Sequence, residues 1–428
     1  MTGVVLIVTF VIAIAIMIIA ISKLKIHPFL AIMGISLILA IVVGIPLKDI
    51  PDTIGSGFSG TFKSIGIVII LGALIGTILE KTGAALKLAE MVVRLVGKKH
   101  PELSMEIMGW VVSIPVFCDS GFVILDPIRK ALQQKTKYSS VAMTVALSAG
   151  LYTSHVFIPP TPGPIAAAGT LGVGNNLLAV IGMGALVSIP CLIAAFFFAN
   201  YIGKKVKSSE DIAENSGAPS YDDLLKSFGT LPGGALSLSP IIMPIIAMAL
   251  GSVSSVCKWQ GALGTFMTFI GTPIIALTIG VLFAIILLFK TKKTAEFNEM
   301  TNECLKVVGP ILFITAAGGV LGKVIANAGF VGYMKEHAAV LSTVGIFFPF
   351  LIAAILKTAQ GSSTVAITTT AGIMGSVAES GSMMAALGLA SPLAGVLTVM
   401  AIGAGAMTVY HANDSYFWVV TNFGSLKA

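Results

Sequence analysis

Residues 105–128 read MEIMGWVVSIPVFCDSGFVILDPI, an apolar stretch with basic segments on both sides. Upstream lie Lys81, Lys87, Arg94, Lys98 and Lys99; downstream come Arg129, Lys130, Lys135 and Lys137. Basic loops stay on the cytoplasmic face of a membrane, so both ends of the stretch belong there. A segment that starts and finishes on one face crosses an even number of times, yet about 24 residues cannot make two crossings at about 20 residues each. The economical solution is a re-entrant hairpin over 105–128. Its tip falls at Pro115-Val116-Phe117-Cys118-Asp119-Ser120-Gly121, where proline and glycine break the helix. Non-helical backbone at membrane depth is tolerated only where it is buried in protein or lines a water-filled cavity, which makes the tip a candidate site.

The whole chain agrees with a membrane setting. Of its 428 residues, 56% are hydrophobic and 11% charged, and the mean hydropathy is +0.98. That composition excludes soluble enzymes and nucleic-acid-binding proteins. The apolar runs are continuous and do not alternate, which argues against a membrane β-barrel and for an all-α polytopic membrane protein with on the order of ten to twelve spans. The net charge of +7 serves here to orient loops. Cys118, Cys191, Cys257 and Cys304 are scattered, with no CxxC and no histidine pair at metal spacing, so neither a disulfide framework nor a metal or cofactor site is expected.

With Lys23 and Lys25 inside, the N-terminus lies outside. Helices are expected over about Val4 to Ile21, Phe29 to Pro46 and Ile65 to Leu79, followed by a short amphipathic surface helix at Ala84 to Val96. Beyond the hairpin, Pro159-Pro160-Thr161-Pro162-Gly163-Pro164 breaks a span that occupies about 139–173, and a return span runs from Leu177 to Tyr201. Residues 204–235 contain Lys204, Lys205 and Lys207 and read as a cytoplasmic linker between halves.

Residues 236–428 repeat the order of residues 1–203. Lys63-Ser64-Ile65-Gly66 recurs as Lys306-Val307-Val308-Gly309, the tip at Asp119 has its counterpart at Gln360, and the break at His155 has its counterpart at His411. Because Lys290, Lys292 and Lys293 are again inside, the second hairpin, about 339–378, enters from the outside, and a second broken span follows over about 382–420. The expected fold is therefore two inverted-topology repeats, each with a re-entrant hairpin and a broken transmembrane helix. In transporters that arrangement puts substrate and coupling ion near the midplane where the discontinuous helices meet. Compared with the first half, the second lacks a last span.

Four runs resemble the gluconate permease family, the gluconate:proton symporters: PVFCDSGFVIL (115–125), HVFIPPTPGPIAAA (155–168), KTAQGSSTVA (357–366) and YHANDSYFW (410–418). The likeness covers essentially the whole chain. It implies proton-coupled uptake of gluconate or a related sugar acid across the inner membrane, with protons as the coupling ion; members of the family also carry fructuronate and D-serine. It further implies a distant similarity to the two-hairpin anion transporters, many of them dimers with an elevator movement, and hence a homodimer in lipid that binds a small anion. Family members usually continue through one more apolar span.

An ionisable group at hairpin depth is costly in lipid and serves an ion pathway or a pair. Asp119 therefore leads as proton carrier, against the alternative of a structural bond to loop amides. His155 and His411, at the paired breaks, can titrate near physiological pH; a neutral histidine packed between helices is the alternative. Asp414 is a further proton site. Ser362, Ser363 and Thr364 begin the second arm of the second hairpin, where helix-end amides and hydroxyls suit a carboxylate, although hydroxyls also serve ordinary helix contacts. Thr161 and Ser120 offer similar groups from the first half, and Lys357 balances the anion or pairs with an acid. Gln360, Asn413 and Ser415 offer partners for polyol hydroxyls, while Asp126 and Arg129 mark the cytoplasmic end of the first hairpin. A membrane-embedded hydrolase using Ser362 with a histidine would leave the inverted repeat without a purpose, and an anion channel would use the same polar tips but cannot concentrate its solute. A carrier is the expected class.

Overall fold

The computed structural model describes residues 4–96, 100–212, 231–328, 344–410 and 414–426, and among them every regular element is helical. Helices α1 (Val4–Ser22) and α2 (Pro28–Val42) open the chain. Pro28 stands at the first position of α2, where a missing N–H is no loss, and the His27 imidazole accepts from the Phe29 N–H at 3.3 Å.

Helix α3 (Ile50–Lys81) is longer than the segment expected from Ile65 to Leu79. Its first part carries Asp52, Gly55, Ser56, Gly57, Ser59 and Gly60, a loop-like composition. One of these glycines allows close packing: a β-carbon on Gly57 would come within 2.8 Å of the Val320 Cα. Helix α4 (Ala84–Val96) has the expected bounds and is amphipathic, with Arg94 exposed and its apolar side turned to protein. Leu86, Leu88, Ala89, Val92 and Val93 are buried, and α4 packs on α5 (Pro101–Val112) and α11 (Gly234–Val256).

The first helix-turn-helix is α5 followed by α6 (Cys118–Thr136), then come α7 (Ser140–Phe157), α8 (Pro162–Thr170), α9 (Leu177–Lys205) and the short α10 (Ser209–Ile212). After α11 come α12 (Gly261–Gly271), α13 (Pro273–Thr291) and α14 (Phe297–Asn327). The second helix-turn-helix is α15 (Phe347–Gln360) with α16 (Ser363–Met374); α17 (Met383–Ala386), α18 (Pro392–Thr408) and α19 (Ser415–Phe423) follow.

Among the described residues, five stretches are long and apolar enough to cross a membrane: Ser140–Thr170, Gly174–Lys205, Gly234–Gly251, Pro273–Thr291 and Thr294–Ile325. Much of the other apolar sequence is in helices of 10–17 residues, which is why composition alone suggests more full spans than these. Leu186, Ile189, Ile193, Phe197 and Phe198 of α9 are exposed, whereas most of α7 is buried. A large exposed apolar face suits lipid and not water, so α9 reads as an outer helix and α7 as an inner one.

Internal contacts divide the chain into two units, the division passing through α3, α9 and α14. The first comprises Met1–Ile70, Pro162–Met183 and Leu305–Asn413; within it α15 packs on α1, α16 and α18, and α8 packs on α16 and α18. The second comprises Leu71–Thr161, Gly184–Cys304 and Asp414–Ala428; within it α5 packs on α4, α6 and α7, α11 packs on α4, α12 and α13, and α19 packs on α6. These units do not follow the sequence halves. Helix α8 continues from α7 in sequence but packs with α16, and α19 continues from α18 but packs with α6.

Candidate functional site

In the second unit, the turn between α5 and α6 is closed by Ser113, whose hydroxyl donates to the Val116 carbonyl at 3.0 Å. Phe117 precedes α6 without a side-chain cap, so the first turn, Cys118, Asp119 and Ser120, presents the positive end of the helix. Asp119 is half-buried there and its Oδ2 accepts from the Cys118 thiol at 3.7 Å. The Ser120 hydroxyl is bonded to Glu80 of α3, a carboxylate not singled out from the sequence.

Helix α19 begins in the same unit. Asp414 is its N-cap, with Oδ1 accepting from the Tyr416 N–H at 2.9 Å, and the residue is 6% exposed. Tyr416 is buried; its ring stacks on Tyr152 at 5.6 Å between centroids and meets Phe122 edge-on at 6.2 Å. Its hydroxyl donates to the Ser148 carbonyl at 3.2 Å. Tyr152 in turn stacks on His155 at 6.3 Å, and Phe117 lies 6.2 Å from the same imidazole. His155 is buried with no hydrogen-bond partner at Nδ1, within electrostatic reach of Asp414. Cys118 is within such reach of both Asp119 and Asp414. Three of the expected titrating residues thus share an aromatic-lined cluster in which two helices begin. Thr161 is buried at the end of this unit, its hydroxyl donating to the Ile158 carbonyl at 2.6 Å.

The first unit holds the other expected residues. Gly361 links α15 to α16 at φ +92°, in the region that favours glycine, and its N–H donates to the Lys357 carbonyl at 2.9 Å. Ser362 caps α16, accepting from the Val365 N–H at 3.3 Å; Ser363 is buried and Thr364 half-buried in the first turn. Lys357 is fully enclosed, its Nζ 5.5 Å from the centre of the Tyr410 ring. Helix α8 packs on α16 at this level, a β-carbon on Gly163 coming within 3.1 Å of Ile367 Cδ1. A buried cation thus lies in a segment leading to a capped helix N-terminus, a combination that suits an anion. His411 and Asn413 lie outside the described residues, as do the side chains of Gln360 and Ser415.

Asp126 and Arg129 belong to a buried charge network. Arg129 is fully buried; it donates to Asp126 through Nε at 2.7 Å and, through Nη1, to Glu210 of α10 at 2.8 Å and to Ser140 of α7 at 2.7 Å. Lys130 meets Asp126 at 2.7 Å, and Ser425 donates to Glu210 at 3.0 Å. Burial would push the Glu210 carboxyl up, but the hydrogen bond and charge of Arg129 outweigh it and hold that carboxyl below the usual range. Glu210 is remote in sequence, so nothing local announces this network. Among the described residues, no group of three or more His, Cys, Asp or Glu is placed to hold a metal ion.

The chain matches the GntP family permease over residues 5–428. A permease of Haemophilus influenzae is 34% identical over 96% of this chain and 84% of its own length. The inner membrane permease YgbN of Escherichia coli is 32% identical over 95% and 88%. The gluconate permease of Zymomonas mobilis is 29% identical over 96% and 89%. Among solved structures, MtrF of Neisseria gonorrhoeae, described as an antimetabolite efflux pump, superposes with a TM-score of 0.62 at 15% identity, covering 96% of this chain and 90% of that one. The YdaH transporter of Alcanivorax borkumensis gives 0.62 at 16% identity, over 93% and 91%. At such identities the two structures speak to the fold alone.

Proposed function

The chain belongs to the GntP permease family, and from that premise we propose that it is a proton-coupled symporter carrying gluconate or a related sugar acid inward across the cytoplasmic membrane. As a permease it is a multi-pass membrane transporter and not an enzyme. Relatives named gluconate permease support the substrate class. The observation that carries the coupling is the cluster of Asp119, His155 and Asp414 around the start of two helices, because ionisable groups at membrane depth are costly and mark ion and proton pathways. Asp119 is assigned the lead in carrying the proton.

The substrate carboxylate is assigned to the start of α16, with Ser362, Ser363 and Thr364, and its charge to Lys357. Gln360 and Asn413 are assigned to its hydroxyls. Lys23 and Lys25 orient the N-terminus outside, Lys204, Lys205 and Lys207 put the 204–235 linker in the cytoplasm, and the two halves act as inverted repeats.

Uptake of labelled gluconate into proteoliposomes under an inward proton gradient tests the whole reading, with fructuronate, D-serine and glycerate as competitors. Accumulation above the external concentration, competed by sugar acids, is expected. Equilibration that a pH gradient cannot drive would overturn the coupling, and competition by D-serine alone would reassign the substrate to a small amino carboxylate.

Ser363→Ala removes one hydroxyl donor while the helix-end amides remain. Affinity should fall by about 1 to 2 kcal/mol, and equally for every carboxylate competitor. A change of preference among substrates without a shared loss would move Ser363 to the hydroxyl end of the ligand. Competition binding curves read either result.

A further inference from the structure

Helix α5 carries two acids, Glu102 and Glu106, one turn apart and so on one face. Glu106 is 1% exposed and Glu102 3% exposed. Glu106 Oε1 and Glu102 Oε2 have no hydrogen-bond partner among the described residues.

Among the described side chains, the charged groups on the helices packed against α5 are engaged elsewhere. On α4, Lys87 meets Glu90 at 2.7 Å and Arg94 pairs with the same carboxylate. On α6, Arg129 and Lys130 are held by Asp126 and Glu210, and Asp119 lies in the first turn with Cys118. On α7, His155 is in the aromatic cluster with Tyr152. The charge acting on Glu106 is that of Glu102, which is of like sign. Glu102 in turn lies within electrostatic reach of Tyr138, whose hydroxyl donates to Asn200 Oδ1, and 3.6 Å from Nδ1 of His100, whose side chain is 66% exposed.

An ionised carboxylate enclosed without a cation costs several kcal/mol, and a second carboxylate one turn away adds repulsion. The neutral acid avoids both. We propose that Glu106 is a proton-binding site of this permease, occupied at neutral pH and filled from the aqueous side through His100 and Glu102. The sequence His100, Glu102, Glu106 then runs from an exposed imidazole into the buried arm that leads to the Asp119 turn. The same face continues to Trp110, whose Nε1 also has no partner. The proton transferred is a single H⁺, taken from solvent at His100 and bound by the Glu106 carboxylate, with no change of oxidation state. This inference deepens the proton-coupled reading and rests on it for its role in transport.

Two measurements on the full-length chain in liposomes test it. Infrared difference spectra across a pH titration report the carbonyl stretch of protonated carboxylic acids. A band present at neutral pH in the parent and absent from Glu106→Gln is expected, and an unchanged band would overturn the assignment. Where Glu106→Gln does not fold, Glu102→Gln serves: without the like charge Glu106 ionises more readily, so the band should titrate away at lower pH, and an unmoved titration overturns the assignment.

In the second measurement, a pH dye follows proton uptake on addition of gluconate. Glu106→Gln should retain gluconate counterflow and lose substrate-driven proton uptake; uptake equal to the parent's would remove Glu106 from the pathway. If the parent itself takes up no protons with gluconate, the symport reading fails, while the infrared band still decides whether Glu106 holds a proton.

Discussion

Asp119→Asn should abolish proton-driven accumulation of substrate while leaving substrate exchange in place. The carboxyl lies in the first turn of α6, half-buried, beside the Cys118 thiol and within a cluster that also holds Asp414. Asparagine keeps the shape and much of the hydrogen bonding but cannot take up and release the proton. A cycle of one proton with one monovalent anion gains about 1.4 kcal/mol, or tenfold accumulation, per unit of pH difference. The variant should therefore bring labelled gluconate only to the external concentration under any pH gradient. Loss of the first-turn charge should cost only about 0.3 to 1 kcal/mol of stability, so folded protein remains for counterflow. A variant that concentrates substrate as the parent does would pass the role to His155 or Asp414.

The second large effect concerns the backing of the same turn. Gly76 of α3 lies where a β-carbon would come within 2.0 Å of the Pro115 carbonyl oxygen, a backbone atom that cannot rotate away. Glu80, one turn further along α3, holds Ser120. Gly76→Ala should push the 113–121 turn off α3, costing about 1 to 3 kcal/mol or more through overpacking, and impair uptake in step. On the same helix Gly55 has nothing within 4 Å of its β-carbon position, so Gly55→Ala should stabilise by about 0.4 to 1 kcal/mol. Thermal unfolding in mild detergent compares the two variants, and a rise in melting temperature for both would show that Pro115 does not rest on Gly76.

Much of the helical layout is legible in the residues themselves. The proline run from Pro159 ends α7 at Phe157 because its ring nitrogens cannot donate, and the apolar periodicity of Ala84 to Val96 gives α4 its bounds. The first part of α3 is not legible, since its glycines usually weaken a helix and one of them, Gly57, is there to let Val320 approach. The surroundings of the candidate residues are hidden for a related reason. Ser120 meets Glu80 from another helix, Arg129 meets Glu210 from beyond three intervening helices, and Tyr152 meets Tyr416 from the far end of the chain. Such partners carry no local pattern. A signal was available only for Glu102 and Glu106, two acids at helical spacing in an apolar arm, a position in which lipid-embedded charge is costly.

The placement of α8 with α16 and of α19 with α6 has a consequence for biogenesis. During synthesis α6 is made long before Ser415–Phe423, the segment that covers it, has left the ribosome. Contacts of such high sequence separation form slowly, because a long loop must close before any contact rewards it. The nascent chain must therefore hold the α6 face open through the translation of hundreds of residues, a period in which membrane chaperones and quality-control proteases have their best access to it. Two separately translated pieces, cut between α10 and α11, would each arrive without a short helix that it packs against, α19 for α6 and α8 for α16, so that assembly would depend on their meeting in the bilayer.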